Sequence, residues 1–330
     1  MSELLAADGQ LFHKKKGAAV PLPVPLAPLA DTHGHLTSFR KHDPAHAVAR
    51  AALAGVRLLC VPVDPADDVR DVGAFLSWFS QVTQSARELL EQAADSGITP
   101  PQFAGYENLP ELVDNLHFIA GVHPYGAKDF CDDPTIAERL RELLADKSCV
   151  GIGEFGLDDG PWNETALSAQ EQAFRTHLRL AHELGLPVEL HLRDAPDDEK
   201  SQIHALAYRI LCEEGVPAAG CDLHCFTNSA QVMAPFVELG CHIAFGGAST
   251  FAKNDDIRAA AAACPSPLIL SETDSPYMAP VPLRGQECEP AMVALTVQRL
   301  AQVRAEAGVA TPEETYATLW HNACEFLGLG

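Results

Sequence analysis

The chain has 330 residues, and 47% of them are hydrophobic, which is typical of a globular protein with a substantial core. It carries 23 Lys and Arg residues against 45 Asp and Glu residues, a formal net charge of −22. This balance excludes the broad basic surface of a high-affinity nucleic-acid binder. No apolar run is long enough to span a bilayer, so we expect no membrane contact.

The first 27 residues differ in composition from the rest of the chain. Three consecutive lysines precede a proline-rich stretch, and proline breaks the apolar helix of a secretory leader. We interpret residues 1–27 as a flexible or polyproline-like arm and residues 28–330 as a single domain. The ten cysteines are scattered, which together with the lack of a leader is typical of reduced thiols in a cytoplasmic protein.

Apolar runs of strand length alternate with helical stretches along the remaining chain. The predicted strands are Leu29–His33, Val56–Val63, His117–Val122, Cys149–Phe155, Pro187–His191, Cys221–His224, His242–Phe245 and Leu268–Ser271. The predicted helices are Ala45–Ala54, Val69–Ala93, Pro134–Asp146, Ala166–Leu184, Asp198–Glu213, Ala230–Leu239, Asp255–Ala263, Glu289–Ala307 and Pro312–Leu327. This alternation predicts an α/β fold, a closed (β/α)₈ TIM barrel that the last helix covers. The connection from Arg70 to Asn115 is long enough to hold an extra helix.

Histidine and carboxylate side chains close several of the predicted strands. His33 and His35 are spaced i, i+2, so in a regular strand both point to the same face and form a natural clamp for a divalent ion. Taken alone, such a pair is more often part of a polar turn. Further candidates lie near other strand ends: Glu154, His191, His224 and Asp274. Since parallel strands of a barrel end at one mouth, the joint pattern predicts a metal-dependent hydrolase.

Each of these residues also fits a role without a metal. A solvated loop acid, a hydrogen-bonded core histidine and an ordinary turn are the simplest alternatives for them. Glu272 competes with Asp274, because two residues apart in a strand they share a face. A separate zinc site at Cys221, His224 and Cys225 is a further alternative, which lacks a second pair at a suitable spacing.

Sequence motifs in order along the chain resemble the TatD family of metal-dependent DNases, within the amidohydrolase-like barrels. The matching stretches are DTHGHL at 31–36, GVHP at 121–124, GIGEFGLD at 151–158, ELGLPVELHLRDA at 183–195, HCFTN at 224–228, FGGASTF at 245–251 and SETDSPYMAPVPLRG at 271–285. The GIGEFGLD and SETDSPY stretches are the most specific. The resemblance covers nearly all of the chain after residue 30.

The resemblance implies a site for two divalent ions, which zinc, manganese or magnesium would fit. It assigns His33, His35, Glu154 and Asp274 to the first ion, and Glu154, His191 and His224 to the second. The expected chemistry is hydrolysis of a phosphodiester by a metal-bridging hydroxide, with Asp274 and Glu154 as the catalytic residues. His123 resembles a pocket histidine of the family. Arg193 is a candidate phosphate contact, and a salt bridge with Asp194 is the equal alternative for it.

The expected substrate is DNA, attacked at its ends or in single strands and held locally by the metals, with no obligate protein partner. Departures from the family pattern, such as Leu192 in place of Ser and Thr37 in place of an acid, touch no predicted ligand and concern substrate preference. The main alternative is an amidohydrolase-type reaction on a small ester, lactone or amide, which the acidic balance favours. A third alternative is an inactive barrel that binds a partner, which would bind no metal.

Overall fold

The structure, a computed structural model, describes residues 4–329, so residues 1–3 of the predicted arm and residue 330 of the predicted domain lie outside it. Residues 4–27 do not form the flexible arm that we predicted. β1 (Phe12–His13) pairs with β2 (Ala19–Val20) in an antiparallel hairpin, and Arg50 donates a hydrogen bond to the carbonyl of Leu4 at 2.8 Å. Burial of three apolar side chains holds this segment against the rest of the protein. They are Leu4, Phe12 and Val20. The domain boundary at residue 28 stays a prediction.

Eight parallel strands form the central sheet, hydrogen bonded to one another in chain order. They are β3 (Leu29–Asp31), β4 (Val56–Val63), β5 (Leu116–Ala120), β6 (Cys149–Asp158), β7 (Val188–Arg193), β8 (Cys221–Leu223), β9 (His242–Phe245) and β10 (Ile269–Ser271). All eight residues of β4 are buried, as expected where both faces of a parallel sheet are covered. β6 continues three residues beyond the predicted strand and so carries Asp158 to its end.

The first and last strands meet and close the sheet. The N–H of Thr32 donates to the carbonyl of Ser271 at 3.2 Å, and the N–H of His35 donates to the carbonyl of Ser275 at 2.8 Å. Gly34 and Ser275 form a parallel bridge beyond the ends of both strands. The predicted (β/α)₈ barrel is therefore confirmed.

Ten α-helices alternate with these strands in the described residues. They are α1 (Pro44–Leu53), α2 (Val72–Asp95), α3 (Ala127–Asp132), α4 (Pro134–Leu144), α5 (Leu167–Leu184), α6 (Gln202–Glu214), α7 (Ala230–Glu238), α8 (Asp255–Ala263), α9 (Val293–Glu306) and α10 (Pro312–Phe326). Local capping explains several of their bounds. Asp133 accepts a hydrogen bond from the N–H of Thr135 at 2.9 Å, and Thr311 and Glu314 form a reciprocal capping box. Gly185 ends α5 with a φ of 66°.

The long connection between β4 and β5 contains no second α-helix. α2 alone extends over 24 residues, and the segment 96–115 that follows is irregular except for a 3₁₀ turn at Leu112–Asp114. The prediction of an extra helix was wrong here, because the pair Pro100-Pro101 removes two backbone donors and restricts the chain to an extended conformation. An unpredicted short helix, α3, instead follows β5.

α10 closes the end of the barrel at which the strands begin. Asn322 donates hydrogen bonds to the carbonyls of Ser266 and Ile269 at 2.7 and 2.9 Å, and the ring centroids of Phe326 and His242 lie 5.1 Å apart. Inward side chains of the strands pack with the helix in one apolar cluster, which includes Ala30, Leu58, Ile119, Ala244, Leu270 and Trp320. The opposite mouth is therefore the open one. Among residues 4–329, no helix has the length and apolar character needed to cross a membrane.

Candidate metal centre

The six predicted ligands meet at the open mouth of the barrel. His33 and His35 follow β3, Glu154 lies within β6, His191 within β7, His224 directly after β8 and Asp274 three residues after β10. Because the strands are parallel and the sheet is closed, residues distant in the chain face one another across the mouth.

The first group contains His33, His35 and Asp274. The Nε2 atoms of the two imidazoles lie 3.1 Å apart, and each lies 3.8 Å from Oδ1 of Asp274. Asp274 has a φ of 55°, rare for a residue other than glycine, and its N–H donates to the carbonyl of His33 at 2.9 Å. This backbone contact places the carboxylate of Asp274 beside the histidine pair.

Glu154 connects the first group to a second one. Its Oε1 lies 3.8 Å from Nε2 of His33 and 3.5 Å from Nε2 of His35. Its Oε2 lies 3.0 Å from both Nδ1 of His191 and Nε2 of His224. The two oxygens of one buried carboxylate thus face two different pairs of imidazoles.

Burial and close contacts determine the charge of these groups. Burial lowers the pKa of His33 well below its usual value and also lowers the pKa of His224, so both imidazoles are neutral, the form that binds metal. Burial alone would raise the pKa of Glu154, but His224 and hydrogen bonds from His191 and His224 hold this pKa well below its usual range. Glu154 is therefore an anion that faces the neutral imidazoles of His33 and His224.

His191 differs from the other imidazoles. Burial would lower its pKa, yet hydrogen bonds to Asp158 and Glu154 raise this pKa to about 9. Its Nε2 lies 3.0 Å from Oδ2 of Asp158, while its Nδ1 faces Glu154. The ring thus carries positive charge between two carboxylates. A metal ion that binds its Nδ1 would take the place of the proton on that nitrogen.

Two acids that the sequence analysis missed hold these histidines in place. Asp158 accepts from His191, and Glu189 accepts a hydrogen bond from Nδ1 of His33 at 2.6 Å. The two-residue periodicity of a strand could have identified both acids. Glu189 lies two residues before His191 and Asp158 lies four residues after Glu154, so each acid shares a strand face with a predicted ligand. Burial, followed by the charges of Asp222 and Glu272, raises the pKa of Glu189, but Oε1 can accept from His33 whether the acid is ionised or protonated. A carboxylate that accepts from one nitrogen of an imidazole leaves the other nitrogen free to bind metal.

The two predicted substrate contacts lie at the edge of this centre. The ring centroid of His123 lies 4.4 Å from that of His191, and burial, then His191, lowers the pKa of His123 to about 3. Arg193 does not pair with Asp194, which binds His204 at 2.6 Å instead. The guanidinium carbon of Arg193 lies 4.7 Å from the ring centroid of Trp162. No carboxylate forms an ion pair with Arg193 in the part of the chain that the structure describes.

The alternative metal sites do not form. Glu272 lies behind His224, 4.0 Å from its Nδ1, and accepts a hydrogen bond from the N–H of Cys225 at 2.6 Å. The proposed Cys221 site is not found either, since no group of potential metal donors within residues 4–329 includes a cysteine. Asp274 therefore lies in one donor group with His33 and His35, whereas Glu272 lies behind His224.

Glycines in the run around Glu154 let the strands approach closely. A Cβ at Gly156 would lie 1.9 Å from the carbonyl oxygen of His191, and a Cβ at Gly153 would lie 2.7 Å from Cβ of Glu189. Any larger residue would push β6 away from β7. The glycines thus allow Glu154 and His191, on adjacent strands, to meet.

The donor set suits divalent metal ions. Three groups have donor atoms within 4.8 Å of one another: His33 with His35 and Asp274, His33 with Glu154 and His224, and His123 with Asp158 and His191. In the first group the two imidazole nitrogens lie 3.1 Å apart and each lies 3.8 Å from Oδ1 of Asp274, so one cation could be bound by all three side chains. Mixed nitrogen and carboxylate donors at an open mouth are typical of hydrolytic metal centres.

Several known proteins are similar to this chain in sequence. The family model described as TatD related DNase matches residues 30–328. The uncharacterized metal-dependent hydrolase YcfH of Escherichia coli K12 is 38% identical over 226 residues, which cover 66% of this chain and 79% of YcfH. The protein named 3′-5′ ssDNA/RNA exonuclease TatD of Cronobacter sakazakii is 32% identical over 241 residues, covering 69% of this chain and 87% of that protein.

A solved structure shows the same fold. The structure of YjjV, a TatD homologue from Escherichia coli K12, superposes with a TM-score of 0.68 at 24% identity and covers 92% of this chain and 98% of its own. The family match covers the barrel and every predicted ligand. The chain therefore belongs to the TatD-related DNase family of metal-dependent hydrolases.

Proposed function

We propose that this protein is a two-metal phosphodiester hydrolase that acts on DNA ends and single strands. The observation that carries the proposal is the position of Glu154, whose Oε1 faces His33 and His35 and whose Oε2 faces His191 and His224. A single carboxylate with this arrangement is suited to bridge two cations.

Four histidines and two acids would hold the ions. His33, His35, Asp274 and Oε1 of Glu154 would bind the first, and His191, His224 and Oε2 of Glu154 the second. When bound, the ions lower the pKa of a coordinated water and neutralise charge on the phosphoryl oxygens. Nitrogen-rich sites suit zinc or manganese, while the carboxylates also admit magnesium.

Asp274 is the proposed general base. Burial, together with the charge of Glu154 and against the opposing effect of His35, raises its pKa to about 7. A base whose pKa lies near neutrality can both accept a proton from the nucleophile and release it again. The backbone bond to His33 holds the carboxylate at the mouth of the barrel, where the substrate would enter.

The choice of substrate rests on the relatives and on the charge of the chain. A net charge of −22 repels duplex DNA, so contacts to phosphate must be local. Arg193 and His123 would supply such contacts. The ring of His123 lies beside that of His191, and Arg193 lies at the end of the same strand as His191 and forms no ion pair in the described residues. The relative from Cronobacter sakazakii is named for 3′-5′ cleavage of single-stranded DNA and RNA.

Hydrolysis of a small ester, lactone or amide is the second candidate. The net charge of −22 favours it, since a small neutral substrate does not suffer repulsion. The same donors would serve, because carbonyl and phosphoryl centres are both activated by divalent ions. Binding of bases beside the centre is the feature that separates the two candidates.

The test is a cleavage assay with metal titration. Metal-depleted protein would be titrated with zinc, manganese and magnesium, and assayed on end-labelled single-stranded DNA, on duplex DNA and on a panel of small esters and lactones. The proposal expects metal-dependent shortening of single strands from the end. Cleavage of the small substrates with intact DNA would instead establish the second candidate.

Two variants tie the activity to the centre. Glu154→Gln should lose cleavage and bind fewer ions, and His191→Ala should bind one ion fewer per chain by elemental analysis. Leu184→Ala, at an exposed position at the end of α5, is the matched control and should behave as the parent. An unchanged ion count in His191→Ala would remove this histidine from the proposed ligands.

A further inference from the structure

Strongly exposed aromatic side chains surround the mouth of the barrel. Within residues 4–329 they are Tyr125, Trp162 and Tyr277, at 45%, 69% and 54% exposure, and we call them the aromatic collar. The other large apolar side chains with comparable exposure are aliphatic. Large aromatic residues are usually buried for most of their surface, so exposure of an indole at 69% calls for an explanation.

Each member of the aromatic collar contacts a residue of the candidate centre. The ring centroid of Tyr125 lies 4.4 Å from that of His123, and the ring of Tyr277 lies 5.9 Å from that of His35. Trp162 lies against the guanidinium of Arg193, 4.7 Å from ring centroid to carbon. The three exposed rings are therefore neighbours of the place where the reaction would occur.

Hydrogen bonds fix the loop that carries Trp162. The side-chain N–H of Asn163 donates to the carbonyl of Asp158 at 2.9 Å. The hydroxyl of Thr165 donates to the carbonyl of Tyr125 at 2.9 Å, which joins the loops of two collar members. The indole is thus exposed although its loop is anchored, so little conformational entropy would be lost when a ligand stacks on it.

Arg193 occupies one face of the indole and leaves the other open. A Cβ at position 160 would lie 2.9 Å from Nε of Arg193, so glycine at this position makes room for the guanidinium. Since Trp162 stays 69% exposed with Arg193 stacked on it, its opposite face is open to solvent. The pair combines a flat apolar surface with a cation that forms no ion pair in the described chain, although the carboxylate of Asp158 lies nearby.

We propose that the aromatic collar, with Trp162 on Arg193 as its main platform, binds unpaired nucleobases of a single-stranded nucleic acid that enters the metal centre. The inference rests on the proposed phosphodiester hydrolysis and names the substrate form that the site selects. Bases of a single strand expose their faces for stacking, whereas bases in a duplex are already stacked on each other. Stacking is also independent of charge, so it can hold a polyanion on a chain with a net charge of −22.

The experiment measures binding without cleavage. A labelled phosphorothioate oligothymidine, which is hydrolysed slowly, and an abasic phosphorothioate oligomer of equal length and charge would be titrated with metal-loaded protein by fluorescence anisotropy. We expect the parent to bind the oligothymidine more tightly than the abasic oligomer. Trp162→Ala should weaken binding of oligothymidine about 10-fold, as for the loss of one base–aromatic stack, and leave binding of the abasic oligomer unchanged.

Matched variants separate stacking from a change in structure. Trp162→Phe keeps an aromatic face and should recover most of the affinity for oligothymidine, whereas Leu184→Ala removes an exposed apolar side chain elsewhere and should have no effect. An equal loss for both oligomers, an unchanged affinity in Trp162→Ala, a preference for duplex, or no binding of either oligomer by the parent would each overturn the inference.

Failure of the inference is distinguishable from failure of the proposed function. If oligothymidine binds through Trp162 but unmodified DNA is not cleaved in any metal, the collar stands and the hydrolase proposal falls. If DNA is cleaved and Trp162→Ala cleaves and binds it as the parent does, the hydrolase proposal stands and the collar falls.

Discussion

Glu189 offers the sharpest test of the proposed metal centre. Its Oε1 accepts a hydrogen bond from Nδ1 of His33 at 2.6 Å, and the two side chains are 3% and 0% exposed. The bond fixes the proton on Nδ1 and turns Nε2 toward His35 and Glu154. We therefore expect Glu189 to strengthen metal binding at His33 without contacting the ion.

The expected effect follows from the type of bond that is lost. Replacement of a carboxylate that orients a ligating histidine typically costs about 10- to 100-fold in metal affinity. Glu189→Gln keeps the shape and a neutral acceptor, so it should weaken binding by about 10-fold, or about 1.4 kcal/mol. Glu189→Leu removes the acceptor and should approach about 100-fold, or about 2.7 kcal/mol.

Competition with a chromophoric chelator measures these affinities, and urea unfolding measures stability alongside. Glu189→Gln removes a buried acid beside Asp222 and Glu272, so its resistance to urea should not fall. Leu184→Ala, at an exposed position at the end of α5, is the control and should match the parent in both measurements. If Glu189→Leu folds and binds metal as tightly as the parent, the reasoning about His33 is refuted.

Three further outcomes follow from the structure. Asp274→Asn should lose nearly all hydrolysis of single-stranded DNA while remaining folded, and cleavage at the parental rate would show that another group is the base. His177 is buried in α5, and burial lowers its pKa from 6.5 to about 4, so its contribution to the free energy of unfolding is present above pH 6.5 and is lost as the pH falls through 4. This shift corresponds to about 3 kcal/mol. The urea midpoint should therefore fall less between pH 7 and pH 4.5 in His177→Gln than in the parent. Gly156→Ala would place a Cβ 1.9 Å from the carbonyl oxygen of His191, so it should lower the melting temperature and the bound metal together, and normal values for both would contradict the packing described between β6 and β7.

The barrel was predictable because its signals are local. Buried parallel strands appear as short apolar runs, as in Val56–Val63, which the structure reproduces residue for residue. Helix caps such as Thr311 with Glu314 also act over a few residues. The hairpin before the barrel was missed, because burial of Leu4 and Phe12 depends on surfaces formed by distant parts of the chain.

The chain by itself determined which residue types stand at the ends of the strands, and hence that His33, His35 and Asp274 belong to one mouth. Only the folded barrel decided which atoms face one another. Oε1 and Oε2 of Glu154 point to different imidazole pairs, and Glu189 reaches His33 across 156 positions of the chain. The reason is geometric: strand periodicity tells which face a side chain occupies, whereas closure of the sheet sets the distances across the mouth.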